Sequence, residues 1–220
     1  MLQSPVDFLA RTRSAASKLF AGIEDYRRNL REGIKGSTFV GNGADRAEFD
    51  AQYRQWAHAN RELVERSMAA QREFHSEKFA KATLCGAVLE LAWKAIELYS
   101  TNSAVPESVK EIVGSSDVGA KFALGREVRG VPIGLVIYAG RNQHVHFNEN
   151  KLGRLNRAVI EKMAEDGHPG RKSPELDLKR FQGQSLASNV LYLLGWDKLE
   201  TYEEDMRVLL SPFDEASAAA

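Results

Sequence analysis

The sequence has little of three features that often reveal a protein's class: cysteine, long apolar runs and an excess of one charge. Cys85 is the one cysteine among 220 residues, which excludes a disulfide framework within the chain and a zinc site built on cysteines. No apolar run reaches the roughly 18 residues of a membrane-spanning helix. Thirty basic residues balance thirty acidic ones, which argues against a protein that coats nucleic acid through bulk charge.

The N-terminal residues also lack the features of a targeting segment. They contain no apolar core of a secretory signal, and Pro5 and Asp7 are unlike a transit peptide. We therefore expect a cytoplasmic protein without a membrane segment.

The remaining pattern is mainly helical. Asp45 followed by Glu48 resembles a capping box at the start of a helix. From there to Tyr99 no proline occurs, which predicts one very long helix or two stacked ones with a break or bend near residues 71–76. Apolar residues at helical spacing predict further helices over residues 6–31, 106–113, 117–124, 152–164, 186–194 and 198–210.

The clearest helical stripe lies in the second half of the long proline-free stretch, and we expect it to face the core. Its members recur at spacings of four and three: Leu84, Val88, Leu91, Ala95 and Leu98. Four further residues widen it to a core-facing face: Ala87, Ala92, Ile96 and Tyr99. A second row at the same spacing, formed by Glu90, Trp93 and Glu97, is typical of a solvated or dimer-facing edge.

Because convincing alternating strands are few, the sequence predicts an all-α fold, a helical bundle with peripheral helices. The glycine-rich stretch 33–43 suggests three parts: an N-terminal helical segment with its linker over residues 1–44, a helical domain over 45–212 and a flexible tail over 213–220.

The residues that point to chemistry follow an apolar run over 133–139. They begin Arg141-Asn142-Gln143-His144-Val145-His146. The planar fork of an arginine suits a phosphate group, and histidine is the side chain that ordinarily gives and takes protons near neutrality. An arginine and a histidine at short spacing are therefore the minimum set for metal-free chemistry at a phosphodiester.

The spacing of these two residues constrains how they could act together. On a straight helix, five steps place Arg141 and His146 about 140° apart, so they would not share a face. Either the backbone bends between them, or a second copy of the segment faces the first across a two-fold axis and each chain contributes an arginine and a histidine to one cleft.

This segment resembles the HEPN superfamily, in which an arginine and a histidine four to six residues apart mark metal-independent ribonucleases. The likeness extends over about residues 45–210 and includes the polar Asn142 after the arginine. One branch of the superfamily has a tyrosine two places after the histidine; Asn148 at that position argues against that branch and its adenylylation partner.

The resemblance implies a homodimer in which the two motifs meet at the interface. His146 would move a proton at the RNA 2′-hydroxyl or the leaving 5′-oxygen, Arg141 would hold the scissile phosphate, and Asn142 would orient one of them. Gln143 and His144 would be weaker contacts to RNA, although His144 is expected to be an exposed bystander. The family resemblance implies no metal or cofactor, and it implies a toxin or antiphage-defence effector kept in check by an inhibitor, an antitoxin or a trigger.

Two other functions stay open. If residues 133–147 form a strand, His144 and His146 share a face and could hold a metal ion in a hydrolase, with His58, His75 or a carboxylate as further ligands; on a helix they diverge by about 160°. The chain could also be a non-catalytic helical binding or assembly module of a defence or toxin–antitoxin system.

Overall fold

The computed structural model describes residues 4–149, 152–165 and 173–211, and it confirms the all-α prediction. Almost all of its regular structure is helical, with a single two-stranded hairpin in the described residues. The α-helices are α1 Pro5–Ile34, α2 Arg46–Ala59, α3 Arg61–Ser76, α4 Lys78–Tyr99, α5 Lys110–Val113, α6 Asp117–Phe122, α7 Ile133–Val145, α8 Arg154–Ala164, α9 Ala187–Leu193 and α10 Leu199–Leu210. A 3₁₀ turn, Glu107–Val109, leads into α5.

The chain forms two compact units that differ from the predicted division at residues 44 and 45. The smaller unit is Gly22–Lys81, and the larger unit combines the described residues of 1–21 and 82–220. Helix α1 therefore contributes to both units rather than forming an appendage. The predicted tail, 213–220, lies outside the described residues.

In the smaller unit the predicted cap at the start of α2 is present. The carboxylate of Asp45 accepts a hydrogen bond from the backbone N–H of Glu48 at 2.9 Å, and the Glu48 carboxylate accepts one from Ala44 N–H at 2.9 Å. The first bond satisfies a donor that the first turn of a helix leaves unpaired, and the second ties the residue before the cap to that turn.

The long proline-free stretch breaks twice. One break, at Glu77, lies one residue beyond the predicted region, and the second, at Asn60, was not predicted. Asn60 donates its side-chain amide to the carbonyl of Trp56 at 2.9 Å, a local bond that competes with continuation of the helix.

In the larger unit, α4 and α7 form the centre. The core-facing face predicted for α4 is confirmed in part. Val88, Ala92, Ala95 and Ile96 are buried, but Leu84 and Leu91 are only partly buried and Leu98 is 49% exposed. Cys85 and Leu89 complete the buried row, so its centre is rotated away from the predicted stripe.

Helix α7 is buried along almost its whole length, and the hairpin before it sets its start. Strands β1 Glu127–Val128 and β2 Val131–Pro132 pair antiparallel where a loop was predicted. Arg129 and Gly130 form the turn with positive φ angles of 51° and 69°, as a tight hairpin requires. The chain then enters α7 directly at Ile133.

No helix in the described part of the chain combines the length and apolar character needed to cross a lipid bilayer.

Candidate active site

Arg141 lies on the face of α7 that packs toward α4. Its Nε donates to Glu90 Oε2 at 2.6 Å and its Nη2 to Glu90 Oε1 at 3.4 Å. The guanidinium also stacks over the ring of Trp93, with Cζ 4.3 Å from the ring centroid, a favourable cation–π distance. The Arg141 side chain is only 21% exposed, whereas Glu90 is 45% exposed, so α4 holds the arginine in one orientation at the edge of solvent.

Asn142 links Arg141 to the next helix. Its Oδ1 accepts from Arg141 Nη1 at 3.0 Å, and its Nδ2 donates to Asn156 Oδ1 on α8 at 3.3 Å. The structure therefore brings together two of the three predicted catalytic residues, with Asn142 in contact with the arginine.

Gln143, predicted as a weaker RNA contact, is held within the fold. It is 5% exposed; its Nε2 donates to the carbonyl of Gln184 at 2.8 Å, and its Oε1 accepts from Leu186 N–H at 2.7 Å. Both amide groups are thus used to fix the segment before α9 against α7.

His144 is not the exposed bystander that the sequence suggested. Its Nδ1 is 2.8 Å from Ser185 Oγ, and its ring occupies the space that a Cβ on Gly86 would need. Burial lowers the pKa of His144; the charge of Glu90 opposes this shift and the charge of Arg141 adds to it. The ring therefore serves as a neutral packing and hydrogen-bonding group between α7 and α4.

His146 stands just beyond the end of α7. The helix ends at Val145, and His146 has φ −111° and ψ 22°, while its backbone N–H still donates to the carbonyl of Asn142 at 3.1 Å. Its side chain is 43% exposed, with Nδ1 2.8 Å from Glu149 Oε1. A carboxylate at this distance can orient the imidazole so that the other nitrogen points outward.

A cavity of about 210 Å³ opens beside His146. Its wall includes two cationic side chains, Arg157 of α8 and Lys179, and the acid Glu149. Gln143, Phe147, Leu152, Leu178, Phe181, Gln182 and Gly183 complete it.

Arg141 does not line this cavity, and no hydrogen bond joins it to His146 among the described residues. Within one chain the two side chains therefore have different surroundings. Arg141 contacts α4, and His146 lines the cavity. This separation agrees with the divergence calculated for a helix.

Four residues of this site were missed at the sequence level. Glu90 and Trp93 belong to a row whose helical spacing is visible in the sequence, but that spacing is typical of a solvated or dimer-facing edge. Arg157 and Lys179 gave no local signal, since only the fold brings them to His146.

The helical conformation of residues 133–145 also decides a question that the sequence left open. The strand that would have placed His144 and His146 on one face is absent from this segment, and the two rings have different partners, Ser185 and Glu149. The geometry that the metal-site alternative needed is thus lost.

No protein-family model matches this sequence, and neither a curated protein nor a solved structure matches it.

Proposed function

We propose that the chain is a metal-independent endoribonuclease of the HEPN type, acting in the cytoplasm as a toxin or antiphage-defence effector. The observation that carries this proposal is that the C-terminal part of α7 holds an arginine oriented by Glu90 and Trp93 and is followed at once by a partly exposed histidine beside a cavity. The resemblance of residues 141–146 to the arginine–histidine motif indicates the class of reaction, which is RNA cleavage without a metal ion.

In this proposal Arg141 binds the scissile phosphate. A guanidinium has five donors; Glu90 accepts from Nε and Nη2 and Asn142 accepts from Nη1, which leaves one N–H on each Nη without a partner among these contacts. The remaining donors can bind phosphate oxygens as negative charge builds up in the transition state. Because the fork is already oriented, little conformational entropy is lost when RNA binds.

His146 supplies the proton transfers. The imidazole takes the proton of the 2′-hydroxyl, and the 2′-oxygen attacks the adjacent phosphorus. The bond from phosphorus to the 5′-oxygen then breaks, and its electron pair stays with that oxygen, which takes a proton from a second imidazole. The products are a 2′,3′-cyclic phosphate and a 5′-hydroxyl.

The second imidazole is His146 of the partner subunit in a homodimer. Within one chain Arg141 contacts α4 while His146 lines the cavity, and in this proposal the two groups meet at one phosphate across the dimer interface. A two-fold axis through the ends of the two α7 helices brings an arginine and a histidine from each chain into one cleft. An inhibitor, antitoxin or trigger protein would restrain the active dimer.

The test is cleavage of mixed-sequence RNA by purified protein in excess EDTA. We expect the wild-type chain to cut and both Arg141→Ala and His146→Ala to be inactive. Arg54→Ala and His58→Ala, exposed residues of the smaller unit, are matched controls that should retain full activity. Loss of wild-type cleavage on EDTA addition, with recovery when Mg²⁺ or Zn²⁺ is returned, would refute the metal-independent mechanism.

A second candidate, a non-catalytic helical binding or assembly module, is favoured by one specific observation. Arg141 is mostly buried and its charge is already paired with Glu90. The same surroundings are typical of an arginine that only stabilises the fold. On this alternative Arg141→Lys changes oligomeric state or partner binding and no RNA is cut, whereas on the enzymatic proposal the same variant loses cleavage while its oligomeric state is retained.

A further inference from the structure

The cavity beside His146 has an unbalanced charge. Arg157 and Lys179 both line it, and in the described part of the chain neither side chain takes part in an ion pair. The acid in the wall, Glu149, is already within hydrogen-bonding distance of His146 Nδ1. Two cations that form no ion pair with the described residues, next to a histidine, favour an anionic ligand.

The rest of the wall limits what that ligand can be. The Gln143 amide already donates to the Gln184 carbonyl and accepts from Leu186 N–H. Leu152, Leu178 and Phe181 add apolar side chains to the wall. A space of about 210 Å³ lined by both cationic and apolar side chains fits one unit of a polymer that alternates phosphate with flat, apolar-faced bases.

We propose that Arg157 and Lys179 bind a phosphate of single-stranded RNA next to the bond that is cut at His146, with the attached nucleotide against Leu178 and Phe181. This inference rests on the proposed ribonuclease function. A duplex cannot enter a cavity of this size, so the RNA is unpaired where it is held, as is usual when proteins bind individual bases.

The test separates binding from cleavage by using RNA that cannot be cut. A fluorescently labelled oligonucleotide with 2′-fluoro groups retains the phosphates and bases but lacks the attacking hydroxyl. Its dissociation constant would be measured by anisotropy for the wild-type chain, Arg157→Gln and Lys179→Gln across a range of salt concentrations. Arg180→Gln is the matched control, because Arg180 is the exposed neighbour of Lys179 and does not line the cavity.

We expect each cavity variant to weaken binding by roughly tenfold, the loss of one hydrogen bond to a charged group. Each should also reduce the slope of log affinity against log salt by about 0.7, the contribution of one phosphate contact in a single strand. Arg180→Gln should stay within about twofold of wild type. Equal effects of all three variants, or no binding by the wild-type chain, would overturn the inference.

The same proteins tested for cleavage of ordinary RNA show which proposal has failed if one does. If binding depends on Arg157 and Lys179 but no RNA is cut, the RNA-binding cavity is supported and the ribonuclease proposal is rejected. If RNA is cut and neither variant changes the cleavage, the ribonuclease proposal is supported and the cavity is rejected as its substrate site.

Discussion

Arg141 is the residue whose surroundings most directly separate a catalytic from a structural role. Glu90 holds it through two contacts, and Trp93 lies beneath it. The carboxylate is nearly half exposed, so the ion pair contributes little to stability, at most about 1 kcal/mol. In the proposed enzyme the Glu90 contact serves mainly to orient the Arg141 guanidinium.

Two variants of Glu90 test this alignment. Glu90→Gln keeps an acceptor for Arg141 and should retain most of the RNA cleavage. Glu90→Ala removes both contacts and should lower kcat/KM roughly ten- to hundredfold, since a misplaced catalytic group is costly. The measurement is steady-state cleavage beside urea unfolding. If Glu90→Ala mainly destabilises the chain while the activity per folded molecule is unchanged, Arg141 is structural.

His144 predicts a pH dependence of stability. Because burial lowers its pKa in the folded chain below the ordinary value of 6.5, the unfolded chain binds more protons at mildly acidic pH. The free energy of unfolding is therefore fully retained above about pH 6.5 and falls as the pH drops toward the lowered pKa, by at most about 1.4 kcal/mol per pH unit for one proton.

Urea unfolding of the wild-type chain and His144→Asn between about pH 7 and pH 5.5 measures this effect. The asparagine does not titrate, so its curve should lack this component while the other histidines contribute equally to both. A wild-type slope no steeper than that of the variant would contradict the assignment.

At the scale of elements, the approach of α7 to α4 depends on Gly86. The His144 ring lies where a Cβ of residue 86 would be, and Ser185 holds the ring there. Gly86→Ala should therefore destabilise the chain by about 1–3 kcal/mol through overpacking, even though alanine is the better helix former.

The matched background is His144→Ala, which removes the ring. There Gly86→Ala should be neutral or stabilising by up to about 1 kcal/mol, so a double-mutant cycle of unfolding free energies isolates the contact. Additive effects of the two substitutions would show that the ring is not what excludes a side chain at residue 86.

Elements were predictable where the signal is local. The Asp45–Glu48 cap and the helical stretches near 154–164 and 199–210 follow from cap residues and spacing. Residues 133–145 were ambiguous because an apolar run buried on every side has neither a period of two nor one of 3.6. The hairpin before them and the packing around them decide for helix, and neither can be read from the run itself.

The residues of the candidate site were likewise predictable only where the signal is local. Arg141, Asn142 and His146 were found because their spacing is local. Glu90 and Trp93 showed helical spacing, but the sequence does not say which face of α4 meets α7, and the predicted stripe was rotated for the same reason. Arg157 and Lys179 come from segments that meet His146 only through tertiary packing.

At the scale of the molecule, the division into units was not where glycines suggested. A glycine-rich stretch indicates where a chain can turn, but compact units are defined by packing, and α1 contributes residues to both. The proposed dimer belongs to this scale as well, because it would supply the arginines and histidines of one cleft from two chains.

Mixing wild-type and His146→Ala chains tests the shared site. Equal amounts, unfolded together and refolded, should form about half mixed dimers and about a quarter wild-type dimers. Because the proposed cleft uses His146 of both chains, mixed dimers should not cleave RNA, and the activity per wild-type chain should fall to about half. Unchanged activity per wild-type chain, although mixed dimers are present by native mass spectrometry, would contradict a site shared between chains.

The proposed enzyme cuts RNA through the 2′-hydroxyl, and an oligonucleotide with one cleavage site, incubated in excess EDTA, tests this chemistry. We predict products that end in a 2′,3′-cyclic phosphate and a 5′-hydroxyl, and no cleavage when the nucleotide on the 5′ side of that bond is 2′-deoxy. Cutting at the deoxy position, or a product with a 5′-phosphate, would contradict the account.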